Sequence, residues 1–373
     1  MFKKTIDTDV LTLGRERTAH TFDRFDQVSV LFSGGKDSTV CLMLAIEEAR
    51  RRGRLPLDVV FYDEEAQCPE TIEYMDRVRQ WPGISLRWFC LPVKHRNACS
   101  RRSPYWYPWA PEDREKWCRP LPATAITDFP GFKRIPIPDI TPTIYPASLG
   151  MVGVIIGLRA QESLRRFRVV TKKRHENYIS VADPKNCHVY LVKPVYDWTT
   201  EDVWTAPKKL GWDYNRAYDV MTNAGMPRHV QRVCPPYGEE PLQNLWMYSV
   251  CWPDLWDKMS QRVPGAATAA RYCRSPLFGH GAIASRPEGQ TWQKLIGLAL
   301  EKWSPAIASQ IAERLQDFID IHNKDTGCAP IEDEVNATSG VGWKLLYQIA
   351  LRGDLKNRKN RKLLTGTKAP VRA

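Results

Sequence analysis

Apolar positions in the first ~25 residues recur at roughly helical spacing: Val10, Leu11 and Leu13, then Ala19, Phe22 and Phe25. That pattern predicts an amphipathic helix. It then changes to a short β-type run, Val28-Ser29-Val30-Leu31-Phe32, followed by Ser33-Gly34-Gly35-Lys36-Asp37-Ser38-Thr39. A helix of good formers is expected from Val40 to Arg52, ended by Gly53. Leu57 to Tyr62 reads as a second buried strand, and Pro69-Glu70-Thr71 opens a helix carrying Ile72, Met75 and Val78. Leu86 to Cys90 and Val152 to Ile156 read as third and fourth strands. Strands alternating with helices predict βαβ units and a mostly parallel sheet.

Residues 95–147 interrupt this rhythm with a segment rich in Pro, Trp, Tyr and Arg, including Ser103-Pro104-Tyr105-Trp106-Tyr107-Pro108-Trp109. Insertions of that length are usually lids or binding loops. From about residue 200 the pattern is helical, with segments at 201–209, 215–224, 291–300 and 306–322. The expected organisation is an N-terminal helix (1–25), an α/β domain (26–220) with the 95–147 insertion, a mainly helical C-terminal domain (221–351), and a basic tail (352–373).

Composition narrows the classes. A chain of 373 residues, 43% hydrophobic and 26% charged, can bury a full core and is neither disordered nor membrane-like in make-up. The start, Met1-Phe2-Lys3-Lys4 followed by Asp7 and Asp9, lacks the apolar stretch of a signal peptide. A cytoplasmic location is the expectation. The net charge is +12, but the tail holds eight basic residues from Arg352 onward against one acid, Asp354. The tail is therefore the candidate contact for an anionic partner such as nucleic acid. Its alternative role is a solvated terminus. The ten cysteines include no CxxC pair, so zinc and iron–sulfur centres are disfavoured. Cys234, Cys251, Cys273 and His280 have spacings that specify no metal, and buried inert thiols are expected, with Cys234 left as a candidate ligand.

The Ser33–Thr39 segment carries the chemistry. Two glycines let the backbone turn and approach an anion. The amides of residues 34–38 are expected to form a nest at a helix N-terminus. Ser33, Ser38 and Thr39 add hydroxyl donors, and Lys36 adds a charge. Asp37 would repel phosphate unless a cation sat between them, which points to Mg²⁺ at Asp37 bridging to a bound nucleotide. The spacing is not that of a Walker A loop.

The SGGKDS unit resembles the PP-loop of the ATP pyrophosphatase superfamily, whose members cleave ATP between the α and β phosphates while adenylating an acceptor. Asp63, Pro69, Glu70, Thr71 and Tyr74 resemble the second signature of the phosphoadenosine phosphosulfate (PAPS) reductase branch, where the strand end lies near the adenosine. Gly157-Leu158-Arg159-Ala160-Gln161-Glu162-Ser163 with Arg165 and Arg166, Pro194 to Trp204, and Asn215 to Asp219 resemble its later signatures. The resemblance implies an adenine nucleotide alpha hydrolase-like (HUP) fold and a site of Ser33, Gly34, Gly35, Lys36, Asp37, Ser38, Thr39, Asp63, Arg159, Glu162, Arg165 and Arg166. Lys36, Asp37 and Arg159 would be the catalytic members. Arg159 follows an apolar strand and should sit at the sheet's carboxyl edge. Glu162 is expected to orient its neighbouring arginines. Asp197 and Trp198 are read as a helix-capping and packing pair.

Reductases of this branch carry a Glu-Cys-Gly motif, and Thr326-Gly327-Cys328-Ala329 does not match it. Arg232 to Glu240 and Pro287 to Trp292 are similar to PAPS-reductase-like proteins with a C-terminal domain of unknown function, of the immunoglobulin-binding regulator A type. That resemblance implies a ParB/sulfiredoxin-like partner. Three functions follow: an ATP- and Mg²⁺-dependent adenylyl-transferring enzyme, with sulfur transfer or nucleic-acid modification as its setting and Trp106 and Trp109 either stacking bases or packing a lid; a nucleotide-binding regulator without turnover; and, disfavoured, true PAPS reduction.

Overall fold

The computed structural model describes residues 6–100, 102–130, 132, 134–171, 176–183, 186–238, 241–273, 286–334, 336 and 338–352. The chain forms two compact units, Met1–Arg274 and Ser275–Ala373.

The first unit opens with helix α1 (Val10–Arg24), whose N-cap Asp9 accepts hydrogen bonds from the Leu11 and Thr12 amides at 2.9 and 3.0 Å. Then follow β1 (Gln27–Leu31), α2 (Lys36–Arg51), β2 (Leu57–Tyr62), α3 (Pro69–Val78) and β3 (Ile84–Phe89). The insertion holds a small antiparallel pair, β4 (His95–Arg96) and β5 (Tyr105–Trp106), and α4 (Ile137–Ile144). β6 (Val152–Ile156), α5 (Leu164–Thr171), β7 (Ile179–Asp183), β8 (Asn186–Val192), α6 (Thr200–Leu210) and α7 (Ala217–Asn223) complete the α/β part. Helices α8 (Trp246–Cys251), α9 (Pro253–Arg262) and α10 (Ala266–Tyr272) follow in the same unit.

The six-stranded sheet has the order β3-β2-β1-β6-β8-β7. All neighbours are parallel except β7, which runs antiparallel to β8 at the edge. The fold is thus the expected mostly parallel sheet with flanking helices. The central strands read as continuous apolar runs because both sheet faces are covered. Val28 and Val30 pack with α1 and α2 residues on one face, while Val60, Val152, Val154 and Val189 pack with Ile140 and Tyr145 on the other. The chain leaves β1 toward β2 on one side and meets β6 on the other. The crevice outside the carboxyl ends of β1 and β6 is therefore the topological switch point, where open α/β sheets bind ligands.

The four expected strands are present, and β7 and β8 are additional. The compact unit runs on past residue 220 to Arg274 because α8 and α9 bond back to it. Trp252 Nε1 donates to Glu70 at 2.9 Å, and Arg262 pairs with Glu65. The N-terminal helix also belongs to this unit. Asp197, read as a helix cap, instead takes Arg17 of α1 in a two-bond pair at 2.7 and 2.7 Å. The cap of α6 is Thr199, which exchanges hydrogen bonds with Asp202.

In the second unit, α11 (Trp292–Leu300), α12 (Pro305–Thr326) and α13 (Trp343–Arg352) surround Ile311, Leu315, Phe318, Leu346 and Ile349. The C-terminal region is helical, as expected. Among the described residues, no helix is long and apolar enough to cross a membrane. The basic tail beyond Arg352 and His280 lie outside the described residues.

Candidate functional site

β1 delivers the chain straight into the Ser33–Thr39 loop. Gly34 turns it at φ +70°, a conformation that favours glycine, and a Cβ there would meet Met75 Cε at 2.9 Å. Gly35 is the N-cap of α2. The loop ties itself together through Ser33 and Ser38, whose hydroxyls lie 3.1 Å apart, and the Ser38 hydroxyl donates to the Gly35 carbonyl at 2.9 Å.

Two residues after the sheet brace the loop from outside. Asn215, 1% exposed, donates from Nδ2 to the Gly34 carbonyl at 3.1 Å and to Thr71 Oγ1 at 2.8 Å. The Tyr218 hydroxyl accepts the Lys36 amide at 3.0 Å. This corrects the expected nest: the Lys36 amide is given to Tyr218 rather than to a ligand. Among the described residues, the amides of Asp37 and Ser38 have no hydrogen-bond acceptor. Burial, reinforced by Asp37, holds the Tyr218 hydroxyl well above the ordinary tyrosine range, so it stays protonated.

β6 brings Arg159 to this loop. Its Nε pairs with Asp37 Oδ1, and Nη1 donates to Gln161 Oε1 at 3.2 Å and the Trp198 carbonyl at 3.4 Å. Lys36 Nζ lies 3.4 Å from Asp37 Oδ2 and donates to the Gln231 carbonyl at 3.3 Å. Lys36, Asp37 and Arg159 are 6%, 8% and 2% exposed. The approach of β6 to α2 is close enough to require Gly157, since a Cβ there would lie 2.5 Å from Ser38 N and 2.7 Å from Asp37 C, both backbone.

Magnesium was expected at Asp37 because a carboxylate beside phosphate needs a cation. Two cations of the chain itself meet that need, one on each carboxylate oxygen. The residues present do not fit a magnesium ion held by Asp37. Among the described residues, no group of three or more His, Cys, Asp or Glu could hold a metal. Burial pushes the Cys234 thiol up to about 11.

The remaining expected site residues separate by role. Glu162, expected to orient its neighbouring arginines, accepts from the Arg159 backbone amide at 3.2 Å and pairs with the Arg166 guanidinium. The side chain of Arg165 lies outside the described residues. Asp63 is engaged within the fold. Its Oδ2 accepts from Trp88 Nε1 at 2.7 Å and pairs with Arg119, and its Oδ1 takes the Glu65 amide at 2.9 Å. Trp106 and Trp109, read as either base-stacking or lid-packing residues, are 3% and 2% exposed and pack inward. Trp109 Nε1 donates to the Asp63 carbonyl at 2.8 Å.

Sequence reasoning missed Asn215, Tyr218 and Gln231 as members of the site. The first two lie in a motif that was visible, but their contact with the loop, more than 170 residues away in sequence, is set by tertiary packing. Gln231 acts through its backbone carbonyl and carries no side-chain signal.

Known proteins place this geometry in a family. Residues 225–362 match a domain of unknown function, DUF3440. The uncharacterized protein YbdN of Escherichia coli is 29% identical over 373 residues, covering 95% of this chain and 90% of YbdN. The uncharacterized protein MJ0066 of Methanocaldococcus jannaschii is 25% identical over 246 residues, 64% of this chain and 42% of that protein. Among solved structures, the FMN adenylyltransferase of Candida glabrata matches at TM-score 0.35 and 13% identity, over 58% of this chain and 62% of that one. The PAPS reductase of Candida auris matches at TM-score 0.31 and 13% identity, over 59% and 94%. Residues 27–221, more than half of the chain, match the phosphoadenosine phosphosulfate reductase domain, and the chain belongs to that family.

Proposed function

We propose that the Ser33–Thr39 loop binds the phosphates of ATP and that the chain transfers the adenylyl group to an acceptor oxygen, releasing pyrophosphate. The observation that carries this reading is the meeting of the loop with Arg159 and Lys36 at the β1/β6 switch point. The Asp37 and Ser38 amides at the start of α2 offer donors to a phosphate, favoured further by the helix dipole. The acceptor oxygen bonds to the α-phosphorus, the bond from that phosphorus to the bridging oxygen breaks, and pyrophosphate leaves on the loop. Lys36 and Arg159 stand where negative charge grows on the phosphates. No step is assigned to magnesium.

Thiol chemistry finds less support. Burial raises the thiols of Cys41, Cys68, Cys90 and Cys118 above their ordinary range, and no Glu-Cys-Gly motif is present in the sequence.

The test is product identity from ATP labelled at the α and γ positions. The reading predicts pyrophosphate together with the adenylyl group on the acceptor, or free AMP where water is the acceptor. Asp37→Ala releases both Lys36 and Arg159 from their positions, and the rate should fall about 10²–10³-fold, the scale of losing a pre-aimed electrostatic partner. ADP and phosphate as products, or no turnover with any acceptor, would overturn it. Stoichiometric ATP binding without turnover would instead favour a nucleotide-binding regulator.

A further inference from the structure

The carboxyl end of β2 is covered by the chain's own insertion. Asp63, the residue after β2, still belongs to the sheet, its amide donating to the Phe89 carbonyl of β3 at 2.9 Å. Its carbonyl accepts Trp109 Nε1 at 2.8 Å, and its carboxylate pairs with Arg119. The Arg119 guanidinium lies over the Trp109 ring, 4.9 Å from the centroid. A flat bicyclic ring thus donates an N–H to a strand-end carbonyl and is stacked by a guanidinium. A purine with an exocyclic amino group would make the same two contacts.

This place borders the phosphate loop. β1 and β2 are parallel, with Leu31 beside Val60 and the Phe32 amide on the Val60 carbonyl at 2.8 Å. The Ser33–Thr39 loop and Asp63 therefore leave the sheet on neighbouring strands, whose spacing is roughly 4.8 Å. Behind Asp63 the chain returns to the loop, where Thr71 Oγ1 and the Gly34 carbonyl share the Asn215 amide. On the other side of β1 the crevice is filled. Gly157 packs on the α2 backbone, and Arg159 is bonded to Asp37 and to the Trp198 carbonyl. The base of a nucleotide held by the loop is directed over β2, onto the ground that Trp109 covers.

The cover is held under strain. Among the described residues, three that are not glycine have φ in the left-handed region, and two of them are Trp109 at +56° and Glu65 at +64°. Bulky residues adopt that conformation at a cost, and such outliers gather at clamps and switches. The two are bonded to each other: the Trp109 amide donates to Glu65 Oε2 at 2.8 Å, and the Cys118 amide to Oε1 at 3.0 Å. Glu65 thus pins the backbone of the 109–118 loop at both ends, while the side chains at its neck, Trp109 and Arg119, lie over Asp63. Arg119 Nε is buried without a partner, a donor still open to a ligand.

We propose that Trp109 and Arg119 form a gate over the base end of the nucleotide site. Trp109 stands in the place of the base, and an adenine nucleotide displaces its indole from the Asp63 carbonyl while Glu65 keeps the loop's backbone in place. This rests on the reading of the Ser33–Thr39 loop as a phosphate site. The gate lowers the apparent affinity for ATP, because the open form alone accepts the base.

The test compares two probes by calorimetry on the full chain: ATP, and inorganic tripolyphosphate, which offers the phosphates without a base. Trp109→Phe keeps an aromatic ring and removes the N–H that holds the gate shut. It should tighten ATP binding about 3–10-fold, the scale of one net hydrogen bond, and leave tripolyphosphate binding unchanged. In the wild type, hydroxyl-radical footprinting read by mass spectrometry should show oxidation of Trp109 rising with ATP and not with tripolyphosphate. The footprint decides the matter if Trp109→Phe does not fold. Equal or weaker ATP binding by a folded Trp109→Phe, a gain shared by tripolyphosphate, or Trp109 oxidation that ATP leaves unchanged or lowers overturns the gate and leaves the phosphate site standing. Failure of the wild type to bind either probe removes both.

Discussion

Arg262→Met tests how the unit is held together. Arg262 is 6% exposed and Glu65 is 0% exposed. The guanidinium donates to Glu65 Oε1 at 2.9 Å and Oε2 at 3.2 Å, to Asp113 at 3.0 Å, and to the Tyr107 carbonyl at 2.6 Å. Glu65 also accepts the amides of Trp109 and Cys118 at 2.8 and 3.0 Å. One pair thus joins the end of β2, the insertion and α9. Methionine fits the space beside Trp106, whose ring centre lies 5.5 Å from the guanidinium, so the substitution removes charge more than volume. It leaves the Glu65 carboxylate buried with its two amide donors and no counter-charge, at a cost of about 3–5 kcal/mol. At about 2 °C per kcal/mol for a unit this large, the first melting transition should drop by roughly 6–10 °C. Adding Glu65→Gln removes the stranded charge, so the double variant should recover most of the loss in a double-mutant cycle. A single variant within about 1 kcal/mol of wild type, below the range for a broken buried pair, would refute the claim that this pair fastens α9 to the sheet.

Other outcomes follow from the same geometry. Gly157→Ala must push the α2 backbone away from β6 and should abolish ATP binding by calorimetry; retained affinity would show that the contact can relax. A chain ending at residue 220 should fail to give a cooperative melt, because it exposes Glu65 and Glu70 without Arg262 and Trp252; a sharp transition would contradict this. Burial lowers the His95 value, but the Glu64 carboxylate 3.2 Å away outweighs it and raises it above the ordinary one, which sets a direction with pH. The His95–Glu64 pair stabilises the fold fully below the unfolded histidine value near 6.5 and loses that contribution as pH rises through the raised folded value. The melting-temperature gap between wild type and His95→Gln should therefore close from pH 6 to pH 9, and a constant gap would count against it.

The alternation of apolar runs with helical periodicity was enough to place β1, β2, β3 and β6 and the phosphate loop. β1, β2 and β6 are covered on both faces, so their sequences are largely apolar. β8 was harder: Asn186, Cys187 and His188 precede its Val189 to Val192 run and dilute the signal. β7, at the sheet edge, is short and mostly half-exposed, with Ser180 and Asp183 among its five residues. At the site, Lys36, Asp37 and Arg159 were readable because they follow strand ends. Their mutual pairing was not, since it depends on β6 lying beside β1, and that adjacency replaced magnesium by arginine as the partner of Asp37. The Glu65–Arg262 pair spans 197 residues and left no local trace. The Trp-rich insertion looked like a binding loop by composition, yet Trp106 and Trp109 are buried because the chain folds them against Tyr237 and Asp63.

The central claim is that the loop after β1 is a nucleotide phosphate site completed by Arg159. Its most direct measurement is a calorimetric titration of the full chain with ATP, repeated with Lys36→Ala and Arg159→Ala. Saturable binding by the wild type, weakened in both variants while the fold persists by circular dichroism, is the predicted result. Equal affinity in all three proteins, or no binding by the wild type, would contradict it.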